Sequence, residues 1–169
     1  ARTRVRGNVD HPHFLPGRVE LAWRDGALPL VALAPFRQTP QDGVGGPIRI
    51  RRLGETAGDV SGALVLVELP HARHSSLSPR LRAQLADLAL AGAVGAIIVT
   101  TGPTGNAIPL NAAPDVVLPL PTALVGNRAA RALLLSGDPG AGRLFVRGEQ
   151  GTRTAHNLIG TMPRPDGRW

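Results

Sequence analysis

The sequence predicts an α/β domain with mixed β-sheets and two main helices, at about 79–91 and 127–136. Three observations predict it. Residues 63–69 (ALVLVEL) and 96–100 (AIIVT) are almost wholly apolar, as strands covered on both faces are. Between them, Leu81, Leu85 and Leu88 fall at i, i+4 and i+7 and make one apolar helical stripe. Outside this core, shorter segments alternate apolar and polar residues at the strand period.

The elements follow in order. Residues 1–17, rich in Arg, Pro and His, have no period and read as an extended lead-in. Residues 18–23 alternate through Val19, Leu21 and Trp23; Asp25-Gly26 is a hairpin signal, and 28–34 is the returning strand. Residues 35–47 (PFRQTPQDGVGGP) read as a loop, and 48–53 alternates again through Ile48 and Ile50. After the buried strand at 63–69, Ser78 is suited to cap a helix, with Pro79 at its first position, where a missing N–H costs nothing. Gly92 stands where that helix should stop, as a left-handed cap. A parallel β-α-β unit results. A proline-rich loop fills 101–121; 122–125 is a short strand; Asn127 can cap a second helix over 128–135, ended by Gly137; 144–147 and 154–161 are two further strands.

Composition prunes the chemistry. The formal charge is +7, but all nineteen basic residues are Arg, and Lys, Cys and Tyr are absent. Abundant Ala, Gly, Pro and Arg have GC-rich codons, which points to a GC-rich, bacterial genome. Part of the Arg excess is therefore codon bias. The arginines are scattered, with small groups at Arg2/Arg4/Arg6, Arg49/Arg51/Arg52 and Arg80/Arg82 that have no aromatic platforms among them for base stacking, which argues against nucleic acid. Without Cys there is no disulfide, thiol nucleophile or thiolate-bound metal. Without Lys there is no phosphate-loop lysine.

The stretch 86–101 (ADLALAGAVGAIIVTT) invites two misreadings. A dinucleotide fingerprint places its glycines after a strand and before a helix; Gly92 and Gly95 come after a helix and before a strand. A membrane span needs roughly twenty apolar residues, and this run is too short. The histidine pairs His11/His13 and His71/His74 lie in loops without a carboxylate cluster, which favours solvated loop histidines over a metal site. His156 lies in a predicted strand as a structural residue. Ser75 and Ser76 stand beside His74, but no nucleophile-elbow motif exists. No catalytic, cofactor-binding or metal-ligating residue is assigned. The loops at 70–78 and 101–121 leave the C-terminal ends of the two buried strands, where α/β sheets place ligands. Their residues His71, Arg73, His74, Thr104 and Asn106 form the candidate partner or peptide surface.

Three stretches carry a family resemblance: GDVSGALVLVELP (58–70), LALAGAVGAIIVTT (88–101) and LPLPTALVGNRAARALLLSG (118–137). In order and spacing this resembles the protease-associated (PA) domain, most specifically at residues 91–98, with a core over about 45–150. The tail TAHNLIGTMPRPDGRW (154–169) resembles the first strand of the zinc peptidase domain that follows PA domains in the aminopeptidase and glutamate carboxypeptidase family. Asn157-Leu158-Ile159-Gly160 carries that likeness. The resemblance implies a swivelling β/β/α fold, with an extended lead-in over 1–17, a PA domain over 18–150 and the start of a truncated peptidase-like domain over 151–169. The start at Ala1 without Met and the end at Trp169 add to the expectation of a piece cut from a longer protein.

The resemblance further implies a non-catalytic interaction or lid domain of a larger, exported peptidase-like protein. Its partners would be a peptide or protein substrate and the adjoining peptidase-like domain. No cofactor is expected in this chain; zinc belongs to the following domain, whose His-x-Asp ligands would lie beyond Trp169. An extracytoplasmic location, secreted or at the cell envelope, comes from the same resemblance. Two other readings stay open. A self-contained small α/β hydrolase would place His71 or His74 beside a carboxylate in a pocket between the 70–78 and 101–121 loops. An Arg-rich nucleic-acid-binding domain would show strongly salt-dependent binding.

Overall fold

The computed structural model describes residues 2–72, 76–111 and 116–161. It is an α/β structure of eight strands and two helices, in the order β1(Arg2–Trp23), β2(Gly26–Pro29), β3(Val31–Ala32), β4(Val44–Arg52), β5(Leu64–Glu68), α1(Pro79–Leu90), β6(Gly95–Thr100), β7(Thr122–Gly126), α2(Asn127–Leu134) and β8(Ala141–Thr161). The strand order is β2-β1-β8-β4-β5-β6-β7-β3.

Two compact units form. The larger is Pro16–Gly148; the smaller comprises the described parts of Ala1–Leu15 and Glu149–Trp169. In the smaller unit, the ends of β1 and β8 supply the strands, and Thr154 Oγ1 donates to Asp10 Oδ1 at 2.7 Å.

β4 pairs differently along its length. Val44–Pro47 runs antiparallel to β8, and Ile48–Arg52 runs parallel to β5. The glycines of the GVGG segment permit this. A side chain at Gly46 would collide with the Gly62 carbonyl, so only glycine lets the two chains pass. The segment reads as loop from its composition, yet it is the start of a strand.

β4, β5, β6 and β7 then form a parallel sheet with every residue of β6 and β7 buried. Alternation sends Val65, Val67, Ala96, Ile98 and Leu124 to one face, where Leu81, Leu85 and Leu88 of α1 pack on them. Each such leucine contributes roughly 1.5–3 kcal/mol on burial. Leu64, Leu66, Ile97 and Val125 point to the opposite face, which α2 covers with Ala130 and Leu133 and β8 with Leu144. Buried apolar runs and a leucine stripe are thus satisfied together.

The corner at 91–95 is a helix stop followed by a close approach. Ser78 caps α1, its Oγ accepting from Leu81 N at 3.2 Å. At the other end Gly92 has φ +85, its N–H donates to Ala89 O, and Ala93 N–H donates to Leu88 O, both at 3.0 Å. This paired motif satisfies the last carbonyls of the helix. Gly95 serves packing: a Cβ there would lie 2.8 Å from Leu144 Cδ2 and 3.1 Å from Leu64 Cδ2.

Other local expectations change. The first hairpin turns at Arg24-Asp25, with Gly26 paired opposite Trp23, rather than at Asp25-Gly26. Arg24 takes the left-handed conformation (φ 52), and its guanidinium lies 4.3 Å from the Trp23 ring centroid. The returning strand 28–34 is not continuous. β2 stays with β1, while β3 switches to pair with β7, because Val31 and Ala32 meet the open edge at Leu124 and Ala123. Residues 2–17 lie within the long β1, and the two strands expected at 144–147 and 154–161 are one strand, β8. No helix among the described residues is long and apolar enough to cross a membrane.

Candidate functional site

The C-terminal ends of the parallel strands open onto a cleft of about 810 Å³. β4 supplies Arg51 and Arg52, β5 supplies Glu68, the following loops supply Glu55 and the segment Gly102–Gly105, and α2 supplies Asn127, Arg128 and Arg131. Open α/β sheets bind ligands at this edge because several loops converge there on one rigid platform.

The charges are unevenly satisfied. Arg51 is tied into the wall: its Nε donates to Ala57 O at 3.0 Å and its Nη1 to Ile50 O at 2.9 Å. Arg52 Nε lies 3.9 Å from Glu68 Oε2 with the Arg52 side chain 79% exposed, a loose pair that adds little stability. Glu55 Oε2 accepts from Arg52 N at 2.8 Å. Arg128 and Arg131, three apart, share one exposed face of α2. Among the described residues neither guanidinium has a hydrogen-bond or ion-pair partner. Like charges at this spacing cost a helix about 0.2–0.5 kcal/mol, so stability does not explain them.

The start of α2 differs from the expected arrangement. Asn127 is the first helical residue and not the cap; the N-cap is Gly126, and no side chain caps the helix. The 102–105 loop contributes instead: Gly105 O accepts from Arg128 N at 3.0 Å. A Cβ at Gly126 would collide with the backbone of Gly105 and Asn106, which leaves glycine as the residue that lets the loop close on the helix. Among the described residues Asn127 Oδ1 is buried without a hydrogen-bond partner, as is Thr101 Oγ1. Gly126 and Gly105 are the sequence signals for this closure, but the collision becomes visible only once the two are juxtaposed.

The candidate surface is distributed over three places. Thr104 lines the arginine cleft. His71 lines an adjoining depression of about 480 Å³ that shares Arg52 and Glu68 with the cleft. Asn106 faces a smaller groove of about 240 Å³ with Val31, Leu124 and Val125. Arg73 and His74 lie outside the described residues, as does Ser75. His71 is exposed, and among the described residues no hydrogen bond joins it to Glu68. The cleft arginines Arg51, Arg52, Arg128 and Arg131 are not among the candidate site residues that the sequence offers. Their own positions carry no motif, and β4 and α2 are brought together only by the sheet.

The charge of the cleft is carried mainly by guanidinium groups. Guanidinium groups keep their protons at physiological pH and bind oxyanions in planar, bidentate geometry. Among the described residues no group of three or more His, Asp or Glu stands close enough to hold a metal.

No family model and no curated protein matches the sequence. Solved structures are similar in fold. A zinc aminopeptidase from Bacillus subtilis superposes with a TM-score of 0.62 at 17% identity, covering 90% of this chain and 36% of that one. An aminopeptidase from Aneurinibacillus sp. strain AM-1 gives 0.57 at 18% identity, covering 93% and 37%. A subtilisin-like protease, Apa1, from the Antarctic psychrotroph Pseudoalteromonas sp. AS-11 gives 0.50 at 14% identity, covering 88% and 35%. The chain therefore spans little more than a third of the length of these peptidase chains.

Proposed function

We propose that this chain is a non-catalytic protease-associated domain of a larger, exported peptidase-like protein, and that it governs access of substrate or partner to an adjoining peptidase domain. One observation carries the reading. The same fold occupies about a third of a chain named as a zinc aminopeptidase, of one named as an aminopeptidase and of one named as a subtilisin-like protease. A portion shared by peptidases of different kinds suits an accessory role better than a catalytic one. The helix stop at Gly92, the packed Gly95 and the strand–helix junction at Gly126 support it, since they are where the sequence resembles that domain. In this reading the chain itself needs no cofactor, and zinc belongs to the neighbouring domain.

The purified 169-residue chain, assayed with aminoacyl-p-nitroanilides and short peptides with and without added zinc, is expected to show no turnover. Zinc-dependent cleavage by this chain would overturn the reading in favour of a self-contained hydrolase. Reading the gene beyond Trp169 tests the neighbour: a His-x-Asp on the next strand is expected.

A further inference from the structure

We propose that the arginine cleft binds an extended acidic peptide segment, with Arg128 and Arg131 as the residues that select its carboxylates. The cleft is a cavity of ligand size, about 810 Å³, at the edge of the sheet where ligands are held. Four arginines line it against two glutamates, so its field favours anions. Arg51 is tied into the wall and Arg52 pairs loosely with Glu68, while the guanidiniums of Arg128 and Arg131 have no partner among the described residues. Two unpaired guanidiniums kept on one helix face, against their mutual repulsion, are poised for carboxylates.

The remaining lining separates a peptide from a nucleic acid. Glu55 and Glu68 interrupt the positive surface and would repel an unbroken run of phosphates. Among the described residues no Phe or Trp lines the cleft, so bases have nothing there to stack on. Leu134 and Leu135 lie at its side, and Leu135 is 72% exposed, an apolar contact for a peptide that mixes acidic and apolar side chains. Alternating acidic and apolar residues match this surface.

The proposal rests on reading the chain as an accessory domain that handles peptide, and the experiment separates the two. Titrate the full 169-residue chain with a fluorescein-labelled acetyl-Glu-Leu-Glu-Leu-Glu-amide at low salt, following anisotropy, and check the peptide afterwards by mass spectrometry. The expected result is saturation with Kd below about 1 mM and an intact peptide. The matching Gln-Leu-Gln-Leu-Gln peptide should bind about tenfold more weakly or worse. Arg128→Gln/Arg131→Gln should weaken the acidic peptide by a similar factor, with unfolding midpoint unchanged. Glu55→Gln should tighten it, a gain that a damaged fold does not produce. Binding that ignores the Gln substitutions or the Arg variant overturns the proposal, as does stronger binding of inorganic phosphate or of a single-stranded oligonucleotide. An intact peptide without saturation overturns the acidic cleft alone; a cleaved peptide overturns the accessory reading itself.

Discussion

Gln84 of α1 clasps the backbone on both sides of Gly54. Its Oε1 accepts from Gly54 N at 2.9 Å, while its Nε2 donates to Arg52 O at 2.9 Å and to Glu55 O at 3.2 Å. The residue is 5% exposed, and the turn it holds carries Arg52 and Glu55 into the cleft wall. Gln84→Leu keeps the volume but removes all three hydrogen bonds; the partner residues are exposed to water, and Arg52 O still accepts from Glu55 N, so it should cost about 0.5–1.5 kcal/mol. Urea denaturation measures this. A loss within a few tenths of a kcal/mol would show that the turn holds itself.

Leu85 is fully buried between α1 and the sheet. Leu85→Ala should cost about 2–5 kcal/mol, the sum of lost transfer energy and the cavity left behind. The exposed Leu90, on the same helix, is the control. Leu90→Ala should stay within about 0.5 kcal/mol in the same denaturation experiment.

Gly92 and Gly95 should fail for different reasons. Gly92→Ala forces a side chain into φ +85, at a cost of about 1–2 kcal/mol in backbone strain. Gly95→Val keeps an ordinary backbone but drives a branched side chain into Leu144 and Leu64, at about 1–3 kcal/mol or more. A second change, Leu144→Ala, should recover part of the Gly95→Val loss and none of the Gly92→Ala loss. Equal recovery in both would contradict the assignment.

Gly126→Ala should separate the 102–105 loop from α2, because the new Cβ would strike backbone at Gly105 and Asn106. Hydrogen exchange is the direct measure. The amide of Arg128, bonded to Gly105 O, should exchange faster in the variant while the β5 and β6 amides keep their protection.

Arg128→Gln and Arg131→Gln should leave stability unchanged within about 0.5 kcal/mol or raise it slightly, since each removes an exposed like charge with no described partner. Thermal unfolding checks this. A large loss would mean that the pair supports the fold.

Much of the scaffold was legible because its signals are local. Ser78-Pro79, the stripe Leu81–Leu85–Leu88 and Gly92 mark the start, buried face and stop of α1 in one short segment. Each acts through neighbours within a few residues. The GVGG segment failed the same reading. Glycine and proline there look like loop, and only the nearness of Gly46 to Gly62 makes glycine the residue a strand needs. The site was less legible still. Thr104 and His71 lie on the loops that leave the strand ends, but neither carries the charge of the cleft.

By itself, then, the sequence determined the α/β class, the parallel β5-α1-β6 unit and the exclusion of thiol and lysine chemistry, because apolar period, caps and composition are properties of contiguous residues. Tertiary structure alone decided that β4 pairs in both senses, that β3 crosses to the β7 edge, and that Gly105 takes the capping role expected of Asn127. It also decided that Arg51 and Arg52 share a cleft with Arg128 and Arg131. These depend on which distant segments meet, and the sheet sets that by burying its apolar faces on both sides at once.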